Sequence, residues 1–227
     1  MNVVITGCSK GIGAELVKLL STNHKVYGLS RDLVSLEKLK ANLVNPSNFN
    51  FIQADVKELN EELINNWVNV SSIDVLINNA GLLVNKKFRD ISYKDYKNIM
   101  DVNFWGVFHL TQLLLDRLSF AKGQIINISS MGGVNYSSKF PGLSLYSSSK
   151  GALTILSECL AEELKPHNVR VNTLALGAVQ TEMLNMAFPD YRANISSKEM
   201  ASFIVSFINS VDNIINGQVV KVTSSNP

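Results

Sequence analysis

Hydrophobic residues in this chain form short runs that alternate with longer amphipathic segments. Seven mainly apolar runs predict strands of a parallel sheet that is covered on both faces, and they lie at 2–6, 25–29, 51–54, 73–78, 124–129, 169–176 and 218–222. Helix-length segments lie between them at 11–21, 33–43, 57–67, 93–119 and about 146–165. The alternation predicts an α/β fold: a Rossmann-like, doubly wound, seven-stranded, mostly parallel sheet with helices on both faces. Ligands are expected at the carboxyl ends of its strands.

Composition narrows the class of protein. The 227 residues, of which 46% are hydrophobic and 18% charged, fit a single globular domain over residues 1–227 with its substrate site in the C-terminal part. The net charge of +2 comes without a basic run, so we expect neither nucleic acid nor a membrane surface as a partner. No run approaches the roughly 20 apolar residues of a membrane helix. We predict no metal site.

The start of the chain and its cysteines suggest a compartment. The sequence MNVVITG enters a strand-like run directly, without the charged leader and apolar core of a signal peptide. Cys8 and Cys159 lie far apart, and free thiols in a reducing cytosol are favoured over a bridge. We therefore expect a cytoplasmic protein.

A glycine-rich turn, TGCSKGIG, lies between the first predicted strand and the first predicted helix. Gly7, Gly11 and Gly13 permit a tight turn in which backbone N–H groups approach an anion closely. The following helix terminus adds unpaired donors and a partial positive charge. At this place in the chain, the turn predicts a dinucleotide site.

The glycine spacing and four later motifs together resemble the short-chain dehydrogenase/reductase family in its compact single-domain form. The later motifs are Asp55-Val56, NNAG at 78–81, Asn103, and NISS at 127–130 followed by YSSSK at 146–150. The resemblance extends from residue 2 to about residue 222. It implies a nicotinamide dinucleotide held by Gly7, Ser9, Lys10, Gly11, Ile12, Gly13, Arg31, Asp55, Val56, Asn79, Ala80, Gly81, Tyr146, Lys150, Gly177, Val179 and Thr181.

Basic residues near the end of the second strand bear on the choice of cofactor. An NAD site usually carries Asp or Glu there, whereas this chain has Ser30-Arg31, with Lys10 in the glycine turn. Two cations suit a ribose 2′-phosphate, so NADP(H) is expected, with NAD(H) possible. Alternatively, both cations are solvated surface charges, or Asp32 serves a ribose hydroxyl. Asp55 has its own alternative as the N-cap of the helix predicted from residue 57.

Two Tyr-x-x-x-Lys pairs compete for a chemical role. Tyr93 and Lys97 lie in a charged stretch, so that pair is interpreted as a solvated helix face. Tyr146 and Lys150 follow the fifth strand at the expected cofactor edge. An ammonium about 5 Å from a phenol favours the phenolate by roughly 3 kcal/mol, about two pKa units, at an effective dielectric near 20. The second pair is therefore predicted to transfer a proton.

The family resemblance implies a catalytic set of Asn103, Ser130, Tyr146 and Lys150. Ser130 would hold the substrate carbonyl, and Asn103 would maintain a water-linked proton path. Two departures stand out: Leu176 replaces the family's usual proline before Gly177, and the segment 131–145 is longer than usual. The second departure leaves Ser129 as an alternative to Ser130.

The expected function is hydride transfer between the nicotinamide of NADP(H) and a small or medium ketone, aldehyde or secondary alcohol. A fairly open apolar pocket is expected from Met183, Leu184, Met186, Phe188, Tyr191, Met131, Tyr136, Phe140 and Leu145, although packing against the sheet is an equal alternative. The rival function is a weakly active or inactive NADP(H)-binding regulatory protein of the same fold. A homodimer or homotetramer is expected through the two long helices; alternatively, Trp105, Phe108 and Leu113 to Leu115 are covered by the sheet.

Overall fold

A seven-stranded parallel sheet forms the centre of the molecule. The computed structural model describes residues 1–210 and 214–223, so the other residues of the predicted domain, 211–213 and 224–227, lie outside the described part. The strands of this sheet are β1 (Asn2–Thr6), β2 (Lys25–Ser30), β3 (Phe49–Gln53), β4 (Val75–Asn78), β5 (Gln124–Ser130), β6 (Arg170–Leu176) and β9 (Val219–Val222). Their order is β3-β2-β1-β4-β5-β6-β9, and every neighbouring pair is parallel. The predicted fold class is confirmed.

The strand order changes direction between β1 and β4, which opens a crevice at their carboxyl ends. Helices cover both faces, because the strands are apolar on both sides. They are α1 (Gly11–Leu20), α2 (Leu33–Ala41), α3 (Glu61–Trp67), α4 (Tyr93–Met100), α5 (Gly106–Ala121), α6 (Ser144–Glu163), α7 (Glu182–Ala187) and α8 (Ser197–Ser210). One face buries Leu16 of α1 against Ile204 of α8, and the other buries Leu110 of α5 in a separate apolar cluster.

Two helix predictions differ from the structure. The helix expected from residue 57 begins at Glu61, because Asn60 caps it by accepting from the Leu63 amide at 2.9 Å. The long helix expected over 93–119 is interrupted by a π-helical segment, Asp101–Trp105, between α4 and α5. Such segments are often found at functional sites.

The chain between β6 and α8 forms a small separate unit over the crevice. Strand β7 (Val179–Gln180) pairs in parallel with β8 (Ile195–Ser196), and α7 lies between them. Helix α8 begins with a capping box: the Ser196 hydroxyl accepts from the Glu199 amide at 3.2 Å, while the Glu199 carboxylate accepts from the Ser196 amide at 2.8 Å.

The lengths of the helices and the state of the cysteines complete the description of the fold. Over residues 1–210 and 214–223, none of the helices is long and apolar enough to cross a membrane. Both cysteines are free; Cys8 is buried and Cys159 is exposed.

Candidate active site

The glycine turn after β1 has a backbone that side chains would disrupt. Gly7 and Gly11 have φ of +65° and +54°, in the left-handed region. A Cβ at Gly7 would lie 2.7 Å from the Ala80 Cα, and one at Gly13 would collide with the Gly7 carbonyl oxygen. The turn is therefore held close to the chain that follows β4.

The predicted residues after β4 brace this turn. The Asn79 amide side chain donates to the carbonyl oxygens of Thr6 and Gly7, each at 3.0 Å. In return the Thr6 hydroxyl accepts from the backbone amides of Asn79 and Ala80, at 3.1 and 3.0 Å. These four bonds lock the carboxyl ends of β1 and β4 together at the crevice.

The amino end of α1 is open toward the crevice. Lys10 is its N-cap residue, yet its side chain does not cap the helix, and the first turn contains no acidic residue. The first-turn N–H groups thus lack a side-chain acceptor, which is the arrangement that receives a pyrophosphate at a helix terminus. Ile12 is partly buried against the apolar core, so any contact it makes with a cofactor would come from its backbone.

A cavity of about 170 Å³ adjoins this turn and gathers the residues predicted for the adenosine half of a dinucleotide. It is lined by Gly7, Ser9, Leu29, Ser30, Arg31, Ala54, Asp55, Val56, Ala80, Gly81 and Val102. Within it the Ser30 hydroxyl donates to the Ser9 hydroxyl at 2.7 Å. These residues fit a bound dinucleotide, because a turn that requires glycine, an uncapped helix terminus and a polar pocket lie next to one another.

The two cations predicted for the ribose phosphate are ion-paired. Lys10 Nζ lies 3.3 Å from Asp32 Oδ2 and 3.5 Å from Glu182 Oε2, and these carboxylates raise the pKa of the lysine. Arg31 Nη1 lies 3.8 Å from Asp55 Oδ2. Asp32 also caps α2, and the hydrogen bonds from Ser35 lower the pKa of the Asp32 carboxyl. Both side chains remain largely exposed, at 51% for Lys10 and 69% for Arg31, so the alternative of solvated surface charges stays open.

Asp55 is not a helix cap. Its Oδ1 accepts from the Lys57 amide at 3.1 Å, whereas α3 begins at Glu61 with Asn60 as its cap. That alternative for Asp55 is wrong, and its carboxylate lies instead at the adenosine pocket, paired with Arg31 and Lys57.

Ser130 and Tyr146 meet across the gap between β5 and α6. Ser130 is the last residue of β5, and Tyr146 is the third residue of α6. Burial raises the pKa of the half-buried phenol, while the nearby Ser130 side chain acts in the opposite direction. Two rigid elements therefore present a hydroxyl and a phenol at one point.

Ser129, the alternative to Ser130, faces away from this point. Its hydroxyl donates to the backbone carbonyl of Lys150 at 3.0 Å and lies 3.1 Å from the Thr154 hydroxyl, in the interior. Successive strand residues point to opposite faces. Of the two serines, Ser130 is the one whose side chain contacts Tyr146.

Lys150 lies beneath the surface, one helical turn beyond Tyr146. Its Nζ donates to the carbonyl oxygen of Ile128 at 2.8 Å, and only 4% of the residue is exposed. Burial lowers the pKa of Lys150 to about 8. The expected lowering of the Tyr146 pKa is absent here, because burial disfavours both charged forms and the ammonium is engaged with a strand carbonyl.

Asn103 lies in the π-helical segment and is fully buried. Its Nδ2 donates to the Leu82 carbonyl and to the Ser149 hydroxyl, each at 2.9 Å, and its Oδ1 accepts from the Leu82 amide at 2.7 Å. The Ser149 hydroxyl in turn donates to the Tyr146 carbonyl at 2.7 Å. Asn103 thus connects the start of α6 to the segment after NNAG, and Gly81 lies beside it.

The residues predicted for the nicotinamide end have mixed surroundings. Val179 is buried in β7, and Gly177 donates to the Val222 carbonyl at 2.9 Å, with its α-carbon turned toward Thr223. The Thr181 hydroxyl caps α7 by accepting from Leu184 at 3.2 Å, and its methyl group faces Gly11. Thr181 therefore joins the glycine turn to α7.

The residues predicted to frame a substrate pocket divide into two groups. Met131 is buried, whereas Met186 and Tyr136 are 84% and 104% exposed. A cavity of about 670 Å³ lies on the flank of α6, lined mainly by residues 132–144 and by none of the four predicted catalytic side chains. This cavity is therefore distinct from the space beside Tyr146.

Tyr93 and Lys97, the Tyr–Lys pair interpreted as a solvated helix face, lie on the surface as predicted. Tyr93 is 77% exposed, and Lys97 forms an ion pair with Asp101 at 2.7 Å.

Sequence reasoning missed four contacts around the site. The carbonyl of Ile128 and the hydroxyl of Ser149 carry no motif of their own, and Asn85 and Gln180 lie in segments with no periodic signal. Asn85 donates to the Ala187 carbonyl at 2.9 Å, and Gln180 donates to Asn185 at 2.6 Å.

Known proteins resemble this chain in sequence and in structure. A family model described as short chain dehydrogenase matches residues 1–192. An uncharacterised oxidoreductase from Schizosaccharomyces pombe is 35% identical over 79% of this chain, which spans 61% of that longer relative. Carbonyl reductase [NADPH] 2 from Sus scrofa is 33% identical, with 81% of this chain and 73% of that protein covered.

A solved structure has the same fold over nearly its whole length. The structure of ElxO with NADP bound is 26% identical, with a TM-score of 0.84, and the match covers 97% of this chain and 96% of that one.

Proposed function

Since this chain belongs to the short-chain dehydrogenase/reductase family, we propose that it is an NADP(H)-dependent oxidoreductase acting on a small or medium ketone, aldehyde or secondary alcohol. The observation that carries the proposal is that Ser130 at the end of β5 adjoins Tyr146 at the start of α6, with Lys150 one turn beyond the phenol. A hydroxyl and a phenol so placed can grip one carbonyl oxygen together.

Each side chain then has a chemical task. When bound, the nicotinamide cofactor supplies or accepts the hydride. In the reduction direction Tyr146 donates its proton to the carbonyl oxygen, and Ser130 donates a hydrogen bond to that oxygen as negative charge develops on it. Lys150 ties α6 to β5 through the Ile128 carbonyl, and Asn103 fixes the start of α6 through Ser149.

For the cofactor, we propose that NADP(H) is preferred over NAD(H). Lys10 and Arg31 both lie at the adenosine end, where a 2′-phosphate would replace carboxylates as the partner of these cations. The pig relative is named as an NADPH enzyme, and the ElxO structure contains NADP. The carboxylate of Asp32 works against a preference for NADP(H), since it is already paired with Lys10.

The remaining expectations are also proposals. The chain forms one domain over residues 1–227 and acts in the cytoplasm. It forms a homodimer or homotetramer through α5 and α6, which leave Phe120 75% exposed and Ile155 59% exposed, with Trp105 43% exposed just before α5.

The proposal is tested by product analysis with a matched pair of tyrosine variants. The wild type, Tyr146→Phe and Tyr93→Phe are each incubated with NADPH and a panel of ketones and aldehydes, and the alcohols formed are quantified. We expect alcohol from the wild type and Tyr93→Phe, and a loss of at least about a hundredfold in Tyr146→Phe. If all three proteins bind NADPH but form no alcohol, the rival function of an inactive cofactor-binding protein takes its place.

A further inference from the structure

We propose that Asn85 is a specificity-determining residue, which latches α7 across the front of the substrate region and so limits the size of the carbonyl compound admitted. The class of substrate in this inference rests on the proposed function. The contact between Asn85 and α7 rests on the geometry of the structure alone.

Helix α7 has little packing of its own to hold it in place. It is six residues long and contains no buried residue. A helix this short is unstable in isolation, because few hydrogen bonds form for each residue that is ordered. Its position must therefore depend on polar contacts at its two ends.

The amino end of α7 is held from the cofactor side. Thr181 caps the helix, and Glu182 lies 3.5 Å from the ammonium of Lys10 in the glycine turn. Gln180 adds a clasp, since its side chain donates to Asn185 at 2.6 Å and accepts from the Ala193 amide at 2.9 Å. These contacts place the amino end of α7 against the dinucleotide crevice.

The carboxyl end of α7 is held from the opposite wall. Asn85 Nδ2 donates to the Ala187 carbonyl oxygen at 2.9 Å, which satisfies one of the carbonyls that a helix end leaves unpaired. Among the side-chain hydrogen bonds of the described residues, this is the one that joins α7 to the segment after NNAG.

Asn85 also contacts the third segment around the site. Gly142, with φ of +86°, lies so close that a Cβ there would overlap the Asn85 amide oxygen. The neighbouring Lys86 amide donates to the Gly142 carbonyl at 3.0 Å. One side chain thus ties α7, residues 82–88 and the long loop at 131–145 into a ring, and that loop leads into α6, the helix that carries Tyr146.

The latch is measured without any turnover by hydrogen–deuterium exchange of the amides of α7. Asn85→Ala removes the donor, and Asn85→Asp replaces it with an acceptor that repels the helix carbonyls. Asn194→Ala is the matched control, because Asn194 is exposed in the same segment and makes no side-chain hydrogen bond within the described residues. Exchange in the peptide that contains Asn185 and Phe188 should be about fivefold faster in Asn85→Ala, the loss of one hydrogen bond, and faster still in Asn85→Asp.

The consequence for specificity is measured with NADPH and a graded series of ketones. Opening the ring should raise the ratio of kcat/KM for the bulkiest ketone to that for the smallest by about fivefold in both Asn85 variants, with no change in Asn194→Ala. The proposal is overturned if α7 exchanges at the wild-type rate in both Asn85 variants, or if exchange accelerates while the ratio stays constant. A wild type that reduces no ketone would defeat the proposed function instead, and the exchange rates would still decide whether Asn85 holds α7.

Discussion

The ammonium of Lys150 donates to the backbone carbonyl of Ile128 at 2.8 Å, which joins the helix that carries Tyr146 to the neighbouring strand. The bond lies in the interior, where only 4% of the lysine is exposed. Because burial penalises the charged amine, the pKa of Lys150 falls to about 8. The side chain that is proposed to support proton transfer is thus also a titratable group of the folded core.

The first prediction concerns stability against pH. Between pH 8 and pH 10 the unfolded chain keeps Lys150 protonated while the folded chain releases the proton, so the unfolded state binds more protons and stability rises with pH. The full shift corresponds to about 3 kcal/mol in the free energy of unfolding. Denaturant titrations at several pH values should show this rise in the wild type and its loss in Lys150→Met.

A control for that prediction is Lys97→Met, since Lys97 is exposed and paired with Asp101. Its pKa is raised by that carboxylate, so its removal should leave the rise between pH 8 and pH 10 intact. If the free energy of unfolding depends on pH in the same way in the wild type and in Lys150→Met, the pKa of Lys150 is not lowered by burial.

The second prediction separates the two serines of β5. Ser130→Ala should lower kcat by about a hundredfold, since it removes a donor to the substrate oxygen, and should leave stability nearly unchanged. Ser129→Ala should instead lower the free energy of unfolding by about 1 kcal/mol, because it removes an interior bond to the Lys150 carbonyl. Steady-state kinetics and denaturant unfolding of both variants check this, and a reversed pattern would assign the role to Ser129.

The third prediction concerns the π-helical segment. Asn103→Ala removes three side-chain bonds and leaves the Leu82 amide and carbonyl without those partners. The free energy of unfolding should fall by about 3 kcal/mol, measured by urea titration. Asn66→Ala, on the exposed face of α3, should change it by less than about 0.5 kcal/mol. Equal stability of the two variants would show that Asn103 does not join α6 to the segment after NNAG.

The fourth prediction concerns cofactor choice. Asp32→Asn keeps a capping side chain on α2 but removes one of the two carboxylates paired with Lys10, so the ratio of NADH to NADPH dissociation constants should rise by about fivefold. Arg31→Asp should lower that ratio by tenfold or more, because a second carboxylate would face the 2′-phosphate. Fluorescence titrations with both cofactors measure these ratios. A wild type that binds NADH more tightly than NADPH would refute the NADP(H) proposal.

The sequence contained enough information for the sheet, because continuously apolar strands between helices leave few alternative topologies. It was less informative where local signals competed. The acidic stretch at residue 57 resembled a helix start, but the cap at Asn60 places that start at Glu61. The π-helical segment around Asn103 has no sequence period that distinguishes it from the helices on either side.

The residues of the candidate site likewise include some that the sequence predicted and some that it did not. Tyr146 and Lys150 were predicted from spacing and position, whereas the partner of Lys150 is a backbone carbonyl, which no side-chain pattern encodes. The ion pairs of Lys10 depend on where Glu182 of α7 comes to lie, and that is set by tertiary structure. The latch at Asn85 likewise joins residues 102 positions apart.

The most direct measurement is a single turnover of NADPH oxidation, with enzyme in excess of NADPH and a saturating ketone concentration, followed by stopped-flow absorbance in the wild type and Tyr146→Phe. Removing one phenolic oxygen should slow hydride transfer by at least about a hundredfold while the NADPH dissociation constant changes by less than about threefold. If both proteins complete the turnover at the same rate with equal cofactor affinity, Tyr146 is not the proton donor and the proposed mechanism is wrong.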